Sequence, residues 1–211
     1  AAAAVLGLST LSVAHAQKKY DPGASDTEIK IGQTMPYSGP ASAYGTQGRA
    51  EVAFFKMLNA NGGVNGRKIT LLSLDDGYSP PKTVEQTRKL VEEEQVLALV
   101  NSIGTPTNSA VHKYLNQKKV PQLLVSSGAA KWNDPKNYPW TTPGYPSYRQ
   151  EAMVYARHLL KNHPDAKIGV IYQNDDFGKD YLSGFKEGLG ADVNKIVKSV
   201  SYEISDPTVD S

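Results

Sequence analysis

The chain of 211 residues contains no cysteine, which removes disulfides, thiolate metal sites and thiol nucleophiles from its chemistry. Histidine is scarce, with four in all, and none falls at a metal-ligand spacing. Charge of one sign is never concentrated. Lys and Arg number 23 against 21 Asp and Glu, a net +2, and no basic run exceeds two residues, as at Lys18-Lys19 and Lys118-Lys119. A nucleic-acid partner is therefore not expected. Three chemical signatures are also missing: the G-x-S-x-G elbow, the G-x-x-x-x-G-K-[ST] phosphate loop, and G-x-G-x-x-G after the first strand.

What is present is the composition of a globular protein, 39% hydrophobic and 21% charged, long enough for one large domain or two smaller ones. Residues 1–16, AAAAVLGLSTLSVAHA, are uncharged, apolar and small, and end in Ala14-His15-Ala16. They read as the remnant of a cleavable signal peptide, too short to span a bilayer. An exported protein without disulfides fits the bacterial periplasm. Residues 17–26 form a polar lead-in.

From Glu28 the pattern alternates. Glu28 to Met35 reads as a strand stopped by Pro36, and the loop PYSGPASAYG follows. Ala50, Ala53, Phe54, Met57 and Leu58 then fall at the spacing of one buried helical face, closed by Asn61-Gly62-Gly63. Arg67 to Asp76 reads as a strand and Pro80 to Gln95 as a helix. Leu97 to Ala110 is a strand, a short hydroxyl and glycine loop, and a helix start with Thr105 as N-cap and Pro106 in the first turn. Val120 to Val125 is a fourth strand. Nearly continuous apolar strands alternating with helices predict an α/β fold, a parallel sheet with helices on both faces. Ser126 to Ser147 breaks the regularity with four prolines. A helix through Ala152, Tyr155 and Leu159, a strand at Lys167 to Tyr172, a helix through Leu182 and Phe185, and a strand at Ile196 to Tyr202 complete the chain. Residues 27–142 thus read as a first lobe and 143–211 as a partial second lobe whose core is too small to stand alone, so the natural chain is expected to continue past Ser211.

Ligands of such sheets sit outside the carboxyl ends of the strands. That rim gathers Tyr37 to Tyr44, Asp75 to Ser79, Ser102 to Thr105, Ser126 to Ala130 and Gln173 to Phe177, rich in hydroxyls and rings and poor in cations. The start of the third helix, with Ser102 and Thr105, admits two readings: a satisfied cap, or a seat for a carboxylate or phosphate. Asp75-Asp76 and Asp175-Asp176 read mainly as turn and helix caps, with a metal or phosphoryl role as the rarer alternative. His112, His158 and His163 read as surface residues, and no metal site is expected.

The motifs IKIG at 29 to 32, PYSGPASAYG at 36 to 45, NANGGVNGRKI at 59 to 69, DDGYSP at 75 to 80, VSSGAA at 125 to 130 and NDDFG at 174 to 178 resemble the periplasmic substrate-binding proteins of ABC transporters in the leucine/isoleucine/valine-binding family. The resemblance runs from residue 27 to 211. It implies a periplasmic-binding-protein type I fold, a two-lobed clamp that closes on a small carboxylate and delivers it to a membrane permease, without enzymatic activity or cofactor and as a monomer. It implies a ligand hydroxyl at Thr105 and further contacts at Ala129-Ala130. Threonine stands in amino-acid binders where Ala130 stands here, and Ser126 or Ser127 is positioned to replace that hydroxyl. Tyr44 matches a ring that shields the ligand, and Phe177 matches a tyrosine of the second lobe. The ligand is then a hydrophobic or branched-chain amino acid or an aromatic or hydrophobic carboxylate. A ligand-sensing receptor on the same clamp is the alternative, and an enzyme using Asp75-Asp76 the remote one.

Overall fold

The computed structural model of the protein describes residues 19–206, so the signal-peptide reading of residues 1–16 lies outside the described residues. Seven strands and five α-helices follow in the order β1 (Glu28–Met35), α1 (Gly45–Ala60), β2 (Lys68–Asp75), α2 (Pro80–Arg88), β3 (Ala98–Val100), α3 (Thr105–Lys118), β4 (Gln122–Val125), β5 (Thr141–Pro143), α4 (Tyr148–Asn162), β6 (Ile168–Gln173), α5 (Asp176–Leu189) and β7 (Ile196–Tyr202). The first five strands form one sheet in the order β2-β1-β3-β4-β5, and β6 pairs with β7 in a second. Every pairing between these strands is parallel.

Right-handed crossovers dictate where the helices go. The step from β1 to β2 runs opposite to the steps from β2 to β3 and β3 to β4, so α1 covers one face and α2 and α3 pack together on the other. The core follows on the α2/α3 side: Leu90, Val96, Leu99, Val111 and Leu115 form one buried cluster. A second joins Val125, Ala129 and Trp132, with Tyr148 packed against it. All the strand-to-helix loops consequently open at the same end of the large sheet, the end that faces β6 and α5.

Three expectations are corrected. The stripe Ala50, Ala53, Phe54, Met57 is not the buried face of α1: Phe54 and Met57 are 52% and 56% exposed. The helix instead rests on the sheet through Gly45 and Gly48, where a Cβ at Gly48 would stand 2.8 Å from Met35 Cγ and 2.3 Å from Tyr37 Oη. Close approach through glycine leaves no trace in a hydrophobic period. The α-helix from Pro80 ends at Arg88 and widens into a π-turn at Lys89–Glu93, which turns Leu90 fully into the core. Within the irregular stretch Ser126 to Ser147, where the sequence reads Thr141 to Pro146 as a crossover between lobes, Thr141–Pro143 is an edge strand beside β4, tolerated there because an edge position does not require proline to donate.

Candidate functional site

A cavity of about 510 Å³ lies between the two sheets, at the carboxyl ends of the strands. From the large-sheet side it is walled by Tyr44 before α1, Gln47 in α1, Tyr78 after β2, Ile103 to Thr105 at the start of α3, and Ser126 after β4. Tyr145 and Tyr148 enter from the connection between sheets, and Gln173, Phe177 and Tyr202 close it from the small-sheet side.

The start of α3 is built differently from the expectation. Gly104, not Thr105, is the N-cap, at φ 102 and ψ 144, and Thr105 and Pro106 are the first helical residues. Only glycine holds that conformation easily, and any Cβ there would lie 2.5 Å from the Tyr78 ring and from Thr107 Oγ1. Beneath the turn, Asn108 Nδ2 donates to the Ser102 and Gly104 carbonyls at 2.8 and 2.7 Å, and Thr107 Oγ1 donates to Ile103 O at 2.5 Å. The carbonyls are thus satisfied from below, and the helix presents its first-turn N–H end to the cavity loops. Thr105 is 2% exposed, and its hydroxyl shares a 2.6 Å hydrogen bond with Ser127 Oγ. The Tyr148 phenol lies beside both hydroxyls, and burial pushes its pKa up. Burial raises Tyr78 likewise, with Asp175 nearby adding to the effect. Both phenols are therefore neutral donors at pH 7.

Of the sequence-derived site residues, Tyr44, Thr105, Ser126 and Phe177 line this cavity. Phe177 stands edge-on to Tyr148 and Tyr181 at 5.0 and 5.4 Å. The other four do not line it. Ser102 Oγ accepts the Thr34 N–H at 3.0 Å and ties β3 to β1. Ser127 is fully buried and accepts the Trp132 indole N–H at 2.8 Å. Ala129 is buried, its N–H directed at Ser127 Oγ. Ala130 is exposed, and its N–H donates to Asp180 Oδ2 of α5 at 2.7 Å. That bond and the Lys131–Asp176 pair at 2.9 Å join the segment after β4 to α5.

Gln47, Tyr145, Tyr148 and Tyr202 were not singled out by sequence. Gln47 sits within a helix and Tyr145 in a stretch without period, so neither carries a local signal. The acidic pairs act as loop clasps. Asp75 accepts from the Tyr37, Ser38 and Gly77 amides, Ser38 Oγ and Lys82 Nζ, all within 3.1 Å. Burial alone would raise its pKa, but these bonds hold it well below the usual carboxylate range. Asp76 is buried, and desolvation raises it; it accepts from Tyr78 N and Thr83 Oγ1, each at 2.9 Å. Asp175 caps α5 through Gly178 N. His112 corrects the surface reading: it is 4% exposed and packed between Trp132 and Tyr138, because the segment after β4 folds back over α3. Among the described residues no group of three His, Cys, Asp or Glu is placed to hold a metal ion, and no helix is long and apolar enough to cross a membrane.

Comparison with known proteins agrees with this architecture. The family model described as periplasmic binding protein matches residues 28–211. A Leu/Ile/Val-binding protein homolog 3 of Brucella melitensis biotype 1 is 28% identical over 181 residues, covering 84% of this chain and 48% of that protein. A substrate-binding periplasmic protein from Ralstonia solanacearum superposes with a TM-score of 0.73 at 29% identity, over 82% of this chain and 49% of that one. A solute-binding protein of an ABC transporter from Rhodopseudomonas palustris BisB5, solved in complex with 3,4-dihydroxybenzoic acid, superposes at 0.74 with 21% identity, over 86% and 49%. The chain spans about half the length of the relatives it matches.

Proposed function

The chain belongs to the periplasmic binding protein family, and from that premise we propose that it is the solute-binding component of an ABC importer. In this reading it captures, as a monomer in the periplasm, a small carboxylate with an aromatic or hydrophobic body and delivers it to the membrane permease. One observation carries the choice of ligand: the cavity joins the start of α3 to five tyrosines and a phenylalanine, and among the described residues none that lines it is charged. An anion can be held there by first-turn N–H groups and the helix dipole without a cation. An ammonium group would be desolvated there with no carboxylate among the described lining residues, Asp175 near Tyr78 and Tyr202 being engaged by Gly178 N and Gln173 Nε2, and that burial is unfavourable. That favours aromatic and hydrophobic acids over α-amino acids. Tyr44, Thr105, Ser126 and Phe177 are the proposed contacts, with Tyr78 and Tyr148 beside them.

The energetics require both walls. A charge-assisted set at the α3 start contributes about 1.5–3 kcal/mol, and a ring buried on one wall about another 2. Micromolar affinity needs about 8 kcal/mol. The remainder has to come from closure of the second wall around the ligand. The names borne by relatives, Leu/Ile/Val-binding and dihydroxybenzoate-bound, bracket the same two ligand classes. A thermal-shift panel on the full chain tests the reading. Benzoates and phenylacetate should raise Tm at saturating concentration. A shift with leucine or isoleucine and none with aromatic acids would reassign the ligand class, and no shift with either would overturn the proposal.

A further inference from the structure

One wall of the cavity carries a closed ring of hydrogen bonds in which the orientation of the single amide is set by a neighbouring carboxylate. Ser126 Oγ donates to Tyr145 Oη at 2.9 Å with Gln47 Oε1 a second acceptor at 3.5 Å, Tyr145 Oη donates to Gln47 Oε1 at 3.3 Å, and Gln47 Nε2 donates back to Ser126 Oγ at 3.3 Å. The second amide hydrogen of Gln47 goes to Glu51 Oε1 at 3.4 Å, one turn along α1. A carboxylate only accepts, so Glu51 dictates that the Nε2 end of the amide faces it and the Oε1 end faces Tyr145. Glu51 is itself held by the Gln33 and Asn101 side-chain amides.

Counting hydrogens gives the consequence. The three side chains own four polar hydrogens, two on the amide and one on each hydroxyl, and all four are engaged within the ring or on Glu51. With Gln47 Oε1 facing both hydroxyls, what remains toward the cavity is a lone pair on Ser126 Oγ and one on Tyr145 Oη. Gln47, Ser126 and Tyr145 all line the same space as Thr105 and the rings. The start of α3 offers donors, and this ring offers only acceptors.

We infer that the ring selects ligands carrying a neutral hydrogen-bond donor in addition to the carboxylate, as in a hydroxylated aromatic acid, and that Gln47 is the specificity-determining residue. The inference rests on the proposed capture of an aromatic carboxylate. A donor on the ligand satisfies an acceptor lone pair, whereas a fluorine in the same place sets electron density against electron density and leaves a desolvated acceptor unpaired. Glu51 lies behind Gln47 and does not line the cavity, so a neutral donor suits the ring better than an ammonium group.

Calorimetric titration of the full chain with 3- and 4-hydroxybenzoate, the matching aminobenzoates and the matching fluorobenzoates tests this. Fluorine is smaller than hydroxyl, so exclusion by size cannot mimic the effect. The native protein should prefer the hydroxy and amino acids over the fluoro acid at one ring position by about tenfold or more. In Gln47→Leu, and in the unbranched Gln47→Met, the Tyr145 hydrogen loses its acceptor and is released toward the cavity while Ser126 keeps its bond to Tyr145, so the ring offers a donor as well and the ratio should fall to about one. A ratio taken within one protein does not depend on the fraction folded. Equal affinity for hydroxy and fluoro acids in the native protein, with both bound, would overturn the inference and leave the proposed function standing. A tenfold preference surviving in both Gln47 variants would also overturn it. Failure of every benzoate to bind would overturn the functional reading and this inference with it.

Discussion

His112 provides a pH-dependent measure of how α3 is locked to the segment after β4. Its ring is stacked on Tyr138 at 3.8 Å between centroids and edge-on to Trp132 at 5.0 Å, and Nε2 is buried without a hydrogen-bond partner. Burial, then the Lys131 ammonium, hold the pKa down to about 4 from 6.5, against a smaller opposing pull from Asp134. In the unfolded chain the imidazole takes its proton near 6.5, in the folded chain near 4, so between these values the unfolded state binds more protons. Stability that is full above pH 6.5 is therefore lost as pH falls toward 4. A gap of about 2.5 units at 1.36 kcal/mol each sets a ceiling of about 3 kcal/mol. Urea unfolding at pH 7 and pH 4.5, for the native chain and for His112→Phe, isolates this contribution, since every carboxylate titrates in both proteins. Phenylalanine keeps the ring contacts and cannot be protonated. The native chain should lose about 2–3 kcal/mol more than the variant between the two pH values. Equal losses would refute the assignment of a buried, unpaired imidazole.

Thr105→Val keeps the shape at the start of α3 and removes the hydroxyl bonded to Ser127; affinity for an aromatic carboxylate, measured by calorimetry, should weaken about 5- to 20-fold. Unchanged affinity would mean that the anion is held by backbone N–H groups alone. Trp132→Ala empties the second core cluster and leaves Ser127 without the indole donor. Its stability to urea should fall by about 3–5 kcal/mol, and a loss below about 1 kcal/mol would show that the site collapses around the missing ring.

Much of the framework was legible because it rests on local patterns. Glu28–Met35 and Ile196–Tyr202 were delimited by their apolar residues and by Pro36 and the turn residues around them, and the βα alternation announced a parallel sheet. The failures share a cause, which is that they depend on contacts distant in sequence. The apolar stripe of α1 pointed to the wrong face because glycines made the close contact. Thr141–Pro143 is too short to show a period, and only the register Gln122 with Thr141 makes it a strand. His112 looked exposed on a helix until Trp132 and Tyr138 closed over it.

The same division runs through the candidate site. Sequence by itself determined that hydroxyl-rich loops and a helix start would meet at one rim, because strand and helix order, with the handedness of crossovers, leaves the loops nowhere else to go. It could not rank the hydroxyls. Ser102 and Ser126 each follow a short apolar strand, yet Ser102 is bound to the Thr34 amide 68 residues away and Ser126 to Gln47, 79 residues away, in the cavity wall. Tyr145 joins the same ring from 98 residues beyond Gln47. A hydroxyl's role is set by which partner the register of distant strands brings within hydrogen-bond reach, and that register exists only in the tertiary structure.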